Sequence, residues 1–263
     1  MTEGPFAHLE FSQWILAVLA ALFLGLSKTS FNAISLLGIA LMAQILPARE
    51  STGVILPMLV LGDVLAVGSF LRHTRWSEVF RLLPAVTLGI LIGALLFRVI
   101  PPPLFSRIIG IAVILLTALQ VLLRLLSREE PLPPRPTRPS LLSGRASRIA
   151  TAWAFGASAG VATMLANAAG PVLTIYLLAI GLPRFEFVGT GAWVFFFGNL
   201  VKVPFSAGLG LINPASLAFN LKLFPAVVAG VILGHYLLKV VSEQVFFWGL
   251  VGLTFAAGLR LIF

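Results

Sequence analysis

The chain states one pattern twice, about half its length apart. Leu46-Pro47-x-x-Glu50-x-x-Gly53, followed by Gly62-Asp63, recurs as Leu182-Pro183-x-x-Glu186-x-x-Gly189, followed by Gly198-Asn199, every member displaced by 136 positions. A second block, Pro84-Ala85-Val86-x-x-Gly89-x-x-x-Gly93 with Arg98 and Phe105, recurs as Pro225-Ala226-Val227-x-x-Gly230-x-x-x-Gly234 with Lys239 and Phe246, displaced by 141. Two homologous halves are therefore expected, packed so that equivalent residues meet equivalent surroundings.

Composition selects the solvent for those halves. Hydrophobic residues make up 59% of the 263 and charged ones 10%, and the mean hydropathy is +1.05. Uncharged runs approach or exceed the roughly 18 residues of a spanning helix. The runs are continuous, as in Ile108 to Leu123, and lack the alternation of a transmembrane β-barrel. The expected fold class is an all-α polytopic membrane protein. Duplicated halves in such a chain are the usual construction of secondary transporters, with the substrate site where the repeats meet near the bilayer midplane. There is no cysteine, so disulfides and thiolate chemistry are excluded. Glu3 and Glu10 precede the first apolar run, and no basic region or small-residue cleavage site marks a removable signal. The net charge of +9 gathers in loops and at helix ends, where it sets topology instead of binding nucleic acid.

Five apolar segments are predicted per half: 11–27, 31–46, 53–71, 79–98 and 104–126, then 149–164, 167–181, 187–207, 216–240 and 244–262. The domains are an N-terminal transmembrane repeat over 1–126, a Pro/Arg-rich linker over 127–147 and a C-terminal repeat over 148–263. Six arginines between Arg124 and Arg148, and Arg72, Arg75 and Arg81 in the loop after segment three, place both regions on the cytoplasmic side. The connection from Ala207 to Ala215 carries no charge, as suits an external loop, and both termini are expected outside.

The first pair of segments in each half decides how the halves are related. At about 1.5 Å per residue, segments of 15 to 17 residues fall short of a hydrocarbon core of about 30 Å. Two short crossings or a re-entrant hairpin give an odd number of crossings and inverted repeats; one long broken crossing gives parallel repeats. Inversion is the favoured reading.

Polar residues concentrate at the break within each pair. Gly25-Leu26-Ser27-Lys28-Thr29-Ser30-Phe31-Asn32 aligns with Gly160-Val161-Ala162-Thr163-Met164-Leu165-Ala166-Asn167. Helix N-termini with Ser, Thr or Asn nearby offer free N–H groups and a positive dipole end to an anion. Ser27, Lys28, Thr29, Asn32, Thr163 and Asn167 are thus candidate substrate-binding residues, against loop capping at the membrane surface as the alternative.

Ionisable groups inside spans are expensive and mark function. Asp63 and Asn199 hold equivalent places, and Lys202 lies one helical turn beyond Asn199 on the same face. Asn199 and Lys202 join the candidate binding residues, and Asp63 is the candidate for coupling to protons. The bland alternative pairs Asp63 with Lys202 as a structural ion pair. Lys28 either lines the site or extends to the surface. His235 is read as a packing residue, Glu50 and Glu186 as partners of first-turn N–H groups, and Phe195-Phe196-Phe197 as lipid and interface packing. The glycine pairs Gly89/Gly93 and Gly230/Gly234 are expected to pack inside one chain in preference to forming a dimer face.

The polar break, the following apolar segment and then Gly181-Leu182-Pro183 to Gly189-Thr190, repeated around a hydrophilic middle loop, resemble the TauE/SafE sulfite exporter family. In the first half Ile45 replaces the glycine before Leu-Pro and Val54 the threonine after Gly53, and Ser27-Lys28-Thr29 stands where a glycine-rich run is more usual. The resemblance implies a transporter of the bacterial cytoplasmic membrane, and not an enzyme, that exports sulfite or a related organosulfur anion. The expected partners are a small anion and the lipid bilayer, with no nucleic acid, no cofactor and no metal, and a monomer or homodimer. No nucleotide-binding motif is present, so an ion gradient or the substrate gradient is the expected driving force. An intramembrane enzyme and a structural membrane subunit are the alternatives.

Overall fold

The structure is a computed structural model that describes residues 9–29, 33–70, 74–126, 145–240 and 243–262. Among these residues the chain forms ten helices and no strand: α1 Phe11–Thr29, α2 Ala33–Ile45, α3 Ala48–Phe70, α4 Trp76–Val99, α5 Pro102–Leu126, α6 Arg145–Ala166, α7 Ala169–Ala179, α8 Arg184–Gly208, α9 Pro214–Val240 and α10 Glu243–Ile262. Five helices fall in each half. Seven of the ten are long and apolar enough to cross a membrane: α1, α3, α4, α5, α6, α8 and α9. The chain is a polytopic membrane protein.

Helices α3 and α8 begin earlier than their apolar stretches suggested, at 48 and 184 instead of 53 and 187. Each starts directly after a Leu-Pro pair, where the missing proline N–H costs nothing because a first-turn donor has no intrahelical partner. The polar opening of α3 is helical because Ser51 and Thr52 donate their hydroxyls back to Ala48 and Arg49 carbonyls at 2.8 and 2.7 Å.

The break pairs are unequal, contrary to the sequence expectation of two marginal segments each. Helices α1 and α6 have 19 and 22 residues, whereas α2 and α7 have 13 and 11. The short members rise only about 20 and 17 Å. Helix α2 folds back along α1: a Cβ on Gly38 would stand 3.0 Å from the Ala20 carbonyl oxygen and 2.9 Å from the Leu24 side chain. On one continuous broken axis those segments would be about 27 Å apart, so the first pair is a hairpin.

The hairpins pack against the opposite half. Helix α4 lies beside α6, with Leu82 and Ala85 near Gly156, Val86 near Gly160 and Gly93 near Met164, so the two run parallel. Helix α1 lies beside α9 in the same way, from Trp14 on Phe219 to Gly25 on Val227 and Leu26 on Gly230. The backbones meet at glycine: a Cβ on Gly25 would strike the Val227 carbonyl oxygen, and one on its counterpart Gly160 would strike that of Val86, the counterpart of Val227. Gly230 and Gly89 repeat this against the carbonyls of Leu22 and Ala157. These glycines serve close packing within one chain. Two apolar clusters result, one around α1, α2, α3 and α9 with part of α5, the other around α4, α6, α7 and α8.

Candidate functional site

The ends of the two hairpins meet through a buried polar cluster. Lys28, at the end of α1, donates to Asp63 Oδ1 of α3 at 2.6 Å. The path exists because Gly62 has no side chain: a Cβ there would lie 2.8 Å from Lys28 Cγ. The other carboxylate oxygen, Asp63 Oδ2, accepts from Asn199 Nδ2 of α8 at 2.6 Å. Only the NH2 end of an amide can face a carboxylate, so Asn199 turns its Oδ1 the other way. Phe195, one turn before Asn199, places its ring 5.5 Å from the Lys28 ammonium.

Asn199 Oδ1 points toward Lys202 Nζ, 3.5 Å away. Lys202 is 2% exposed and also donates to Thr163 Oγ1 of α6 at 3.2 Å and to Asn167 Oδ1. Asn167 reaches this place through an uncommon backbone. It follows α6 with φ of +53°, and its N–H bonds to the Thr163 carbonyl at 2.9 Å, an αL helix cap. Asparagine tolerates that region better than most residues carrying a Cβ, for which left-handed geometry costs about 1–2 kcal/mol. Its Nδ2 then donates to the Thr52 carbonyl at 3.0 Å, tying the second break to the start of α3 in the first half.

Helix α7 starts inside this region. Its N-cap residue Ala168 supplies no side-chain hydrogen bond, and Ala169, Gly170 and Pro171 are buried. The first N–H groups of a helix lack intrahelical partners, so an uncapped and buried start presents donors to whatever occupies the space beside it. That space is a small cleft lined by Thr163, Ala169, Leu173, Phe195 and Asn199, with Val86 behind them. Lys202 lies behind that lining, in contact with Thr163 and Asn199.

A second ion network closes the end of the cleft-lining helices. Buried Glu78 of α4 accepts from Tyr176 of α7 at 2.7 Å and pairs with Arg81 and, at 3.5 Å, with Arg148 of α6. Nearby Arg75 pairs with Glu186 at 2.5 Å. Glu186 thus ties the first turn of α8 to Arg75 at the N-cap of α4.

Of the residues expected to bind substrate, Lys28, Thr163, Asn167, Asn199 and Lys202 come together with Asp63. Ser27 is buried but gives its hydroxyl to the Leu24 carbonyl at 2.7 Å, so its donor is spent within α1. The Thr29 side chain, Asn32 and the His235 side chain lie outside the described residues. The expected Asp63–Lys202 pair is corrected: Asp63 pairs with Lys28, because Asn199 stands between Asp63 and Lys202 while Gly62 opens the way for Lys28. Nor does Lys28 extend to the surface; it is 11% exposed and held by that carboxylate. Sequence reasoning missed Phe195 as a neighbour of the cluster and missed Gly62 as the opening for Lys28. Gly62 was visible in the repeat, but its role needs the third dimension. The Glu78 network was also missed, since its members are scattered over three helices.

Buried charges drawn from both halves of an all-helical membrane bundle are what a transporter site requires. Residues 16–261 match the family described as Sulfite exporter TauE/SafE. The chain belongs to that family, and is a multi-pass protein of the cytoplasmic membrane. No curated protein and no solved structure matches it.

Proposed function

We propose that the protein exports a small sulfur oxyanion, sulfite or a related organosulfur anion, by alternating access at the Lys202 cluster. The single observation that carries this reading is the state of Lys202. It is a buried lysine in a membrane helix whose partners among the described residues are three neutral oxygens, with no carboxylate in contact. Burying a charge without a counter-charge is costly, so such a site has a strong need for an anion. The uncapped start of α7 and the adjacent cleft supply N–H donors suited to oxyanion oxygens.

Within this reading the halves are inverted repeats, and Asp63 couples transport to an ion gradient. Inversion is supported by the direction of the helices. If connected neighbours reverse direction, α1 parallel to α9 and α4 parallel to α6 make the two halves run oppositely. Asp63 and Asn199 each lie 15 residues beyond the first residue of their helices, so an inverted arrangement brings them together about 22 Å from opposite ends. The test is a proteoliposome flux screen with sulfite, thiosulfate, sulfate and a taurine-like sulfonate, with and without a pH gradient. Saturable movement of at least one sulfur oxyanion is expected, and its absence for all four would refute the proposal.

A further inference from the structure

We propose that the cluster selects its anion by charge number, taking a monoanion such as a sulfonate or hydrogensulfite in preference to a dianion such as sulfate. The inference rests on the reading of the Lys202 cluster as the anion site, and adds a rule for what that site accepts.

The rule comes from counting charges that act on one another inside the bundle. Lys28 contacts Asp63 directly, and Asn199 joins Asp63 to Lys202, so the three ionisable groups form one connected cluster. Each group is taken in its charged form, for which the hydrogen bonds supply partners. Lys202 Nζ faces three oxygens, those of Thr163, Asn167 and Asn199, which match the three N–H donors of an ammonium. Each oxygen of Asp63 receives a donor, one from Lys28 and one from Asn199, as a carboxylate requires. Two ammonium groups and one carboxylate sum to +1.

The remaining dipoles do not change that integer. Helix α6 ends at Ala166 and α7 begins at Ala169, so the partial negative end of one lies beside the partial positive end of the other and they nearly cancel as net charge. Most of the cleft lining is apolar, including Val86, Leu173 and Phe195. A monoanion brings this enclosed region to zero. A dianion leaves it at −1, and residual charge in a low-dielectric setting is unfavourable.

Methanesulfonate and sulfate test the rule, since both present an SO3 face and they differ by one charge. Binding of each is measured at neutral pH to the full chain purified in lipid nanodiscs, for the wild type, Asp63→Asn and the double variant Lys28→Met/Asp63→Asn. The cluster then carries +1, +2 and +1. The wild type is expected to bind methanesulfonate about tenfold or more tighter than sulfate, with the order reversed in Asp63→Asn and restored in the double variant. The double variant has no buried ion pair to leave half-made, so it also reports the rule if Asp63→Asn folds poorly. Equal preference in all three, or a wild type that favours sulfate, overturns the charge rule while leaving the anion site in place. Failure of the wild type to bind either anion overturns the site and the rule together.

Discussion

Asn199 donates its amide to Asp63 at 2.6 Å, and these two residues hold the same place in the two repeats. In a two-fold arrangement a residue touches its own counterpart where the axis passes between them. The difference between the two side chains is what gives the contact a direction. Two carboxylates there would repel, and two amides could pair either way round. A carboxylate facing an amide fixes the amide, so that Asn199 Oδ1 is turned to Lys202. The acid in one half and the amide in the other thus make this contact polar, with Lys28 on one side and Lys202 on the other.

Removing the ammonium of Lys202 should remove the anion site. Lys202→Met keeps much of the side-chain length and deletes the charge, and it leaves behind three oxygens that lose a donor. Binding of the transported anion, measured by calorimetry on purified protein, should fall at least about tenfold. The variant should still fold, because no carboxylate in contact with Lys202 is left unpaired, and any fall in its thermal midpoint reports the three oxygens that lose a donor. Unaltered affinity in a folded variant would place the anion elsewhere.

The Lys28–Asp63 pair should behave as a coupled unit. Lys28→Met leaves a carboxylate that is 1% exposed with only Asn199 as a neutral donor, and breaking a buried pair from one side costs about 3–5 kcal/mol. Lys28→Met/Asp63→Asn removes both charges and should recover most of that loss. Unfolding of the two single variants and the double variant gives the coupling energy. Additive losses would mean that the two charges do not stabilise one another.

The sequence made the helices legible and the pairing of charges illegible, for physical reasons. Apolar runs report burial in lipid directly, so the ten helices lie near their expected segments. Helix starts such as Ala48 and Arg184 were misplaced because their first turns are polar, and hydropathy does not register a proline-initiated turn. The repeat alignment placed Asp63 and Asn199 as counterparts, and the helical period put Lys202 on the face of Asn199. Which lysine reaches Asp63 depends on the gap over Gly62 and on Asn199 standing between, neither of which is encoded in a spacing along the chain.

Close packing at the glycines should be intolerant of a single methyl. Gly25→Ala and Gly160→Ala would drive a Cβ into the carbonyls of Val227 and Val86, and backbone cannot yield as a flexible side chain does. Each should destabilise the protein by about 1–3 kcal/mol in detergent unfolding experiments. Gly68→Ala, with nothing within 4 Å of its added Cβ, should be neutral or slightly stabilising. Equal tolerance at all three positions would contradict the observed approach of α1 to α9 and of α6 to α4.

Orientation can be read with introduced thiols, since the native chain has no cysteine. Ser77 at the start of α4 and Ala215 at the start of α9 are both exposed. The arginine-rich loop before Ser77 and the uncharged connection before Ala215 put them on opposite sides of the membrane. Ser77→Cys should react with a membrane-impermeant maleimide only after the cells are opened, and Ala215→Cys in intact cells. Labelling of both from one side would refute the inverted arrangement.

Coupling to protons should depend on Asp63. Within the cluster it is the one carboxylate, and it contacts Lys28 directly and Lys202 through Asn199, so a proton on Asp63 would weaken its hold on both. A protonated Asp63 would leave Lys28 without its counter-charge, and the surplus positive charge favours keeping the anion bound until the proton departs. Asp63→Asn keeps the size of the side chain and an oxygen that can accept from Lys28, yet cannot exchange a proton. Reconstituted into liposomes, this variant should still bind the anion but release it more slowly, and imposing a pH gradient should leave its reduced rate unchanged where the wild type accelerates. A variant whose flux still responds to the gradient as the wild type does would move the coupling group away from Asp63, leaving Lys202 as the anion site.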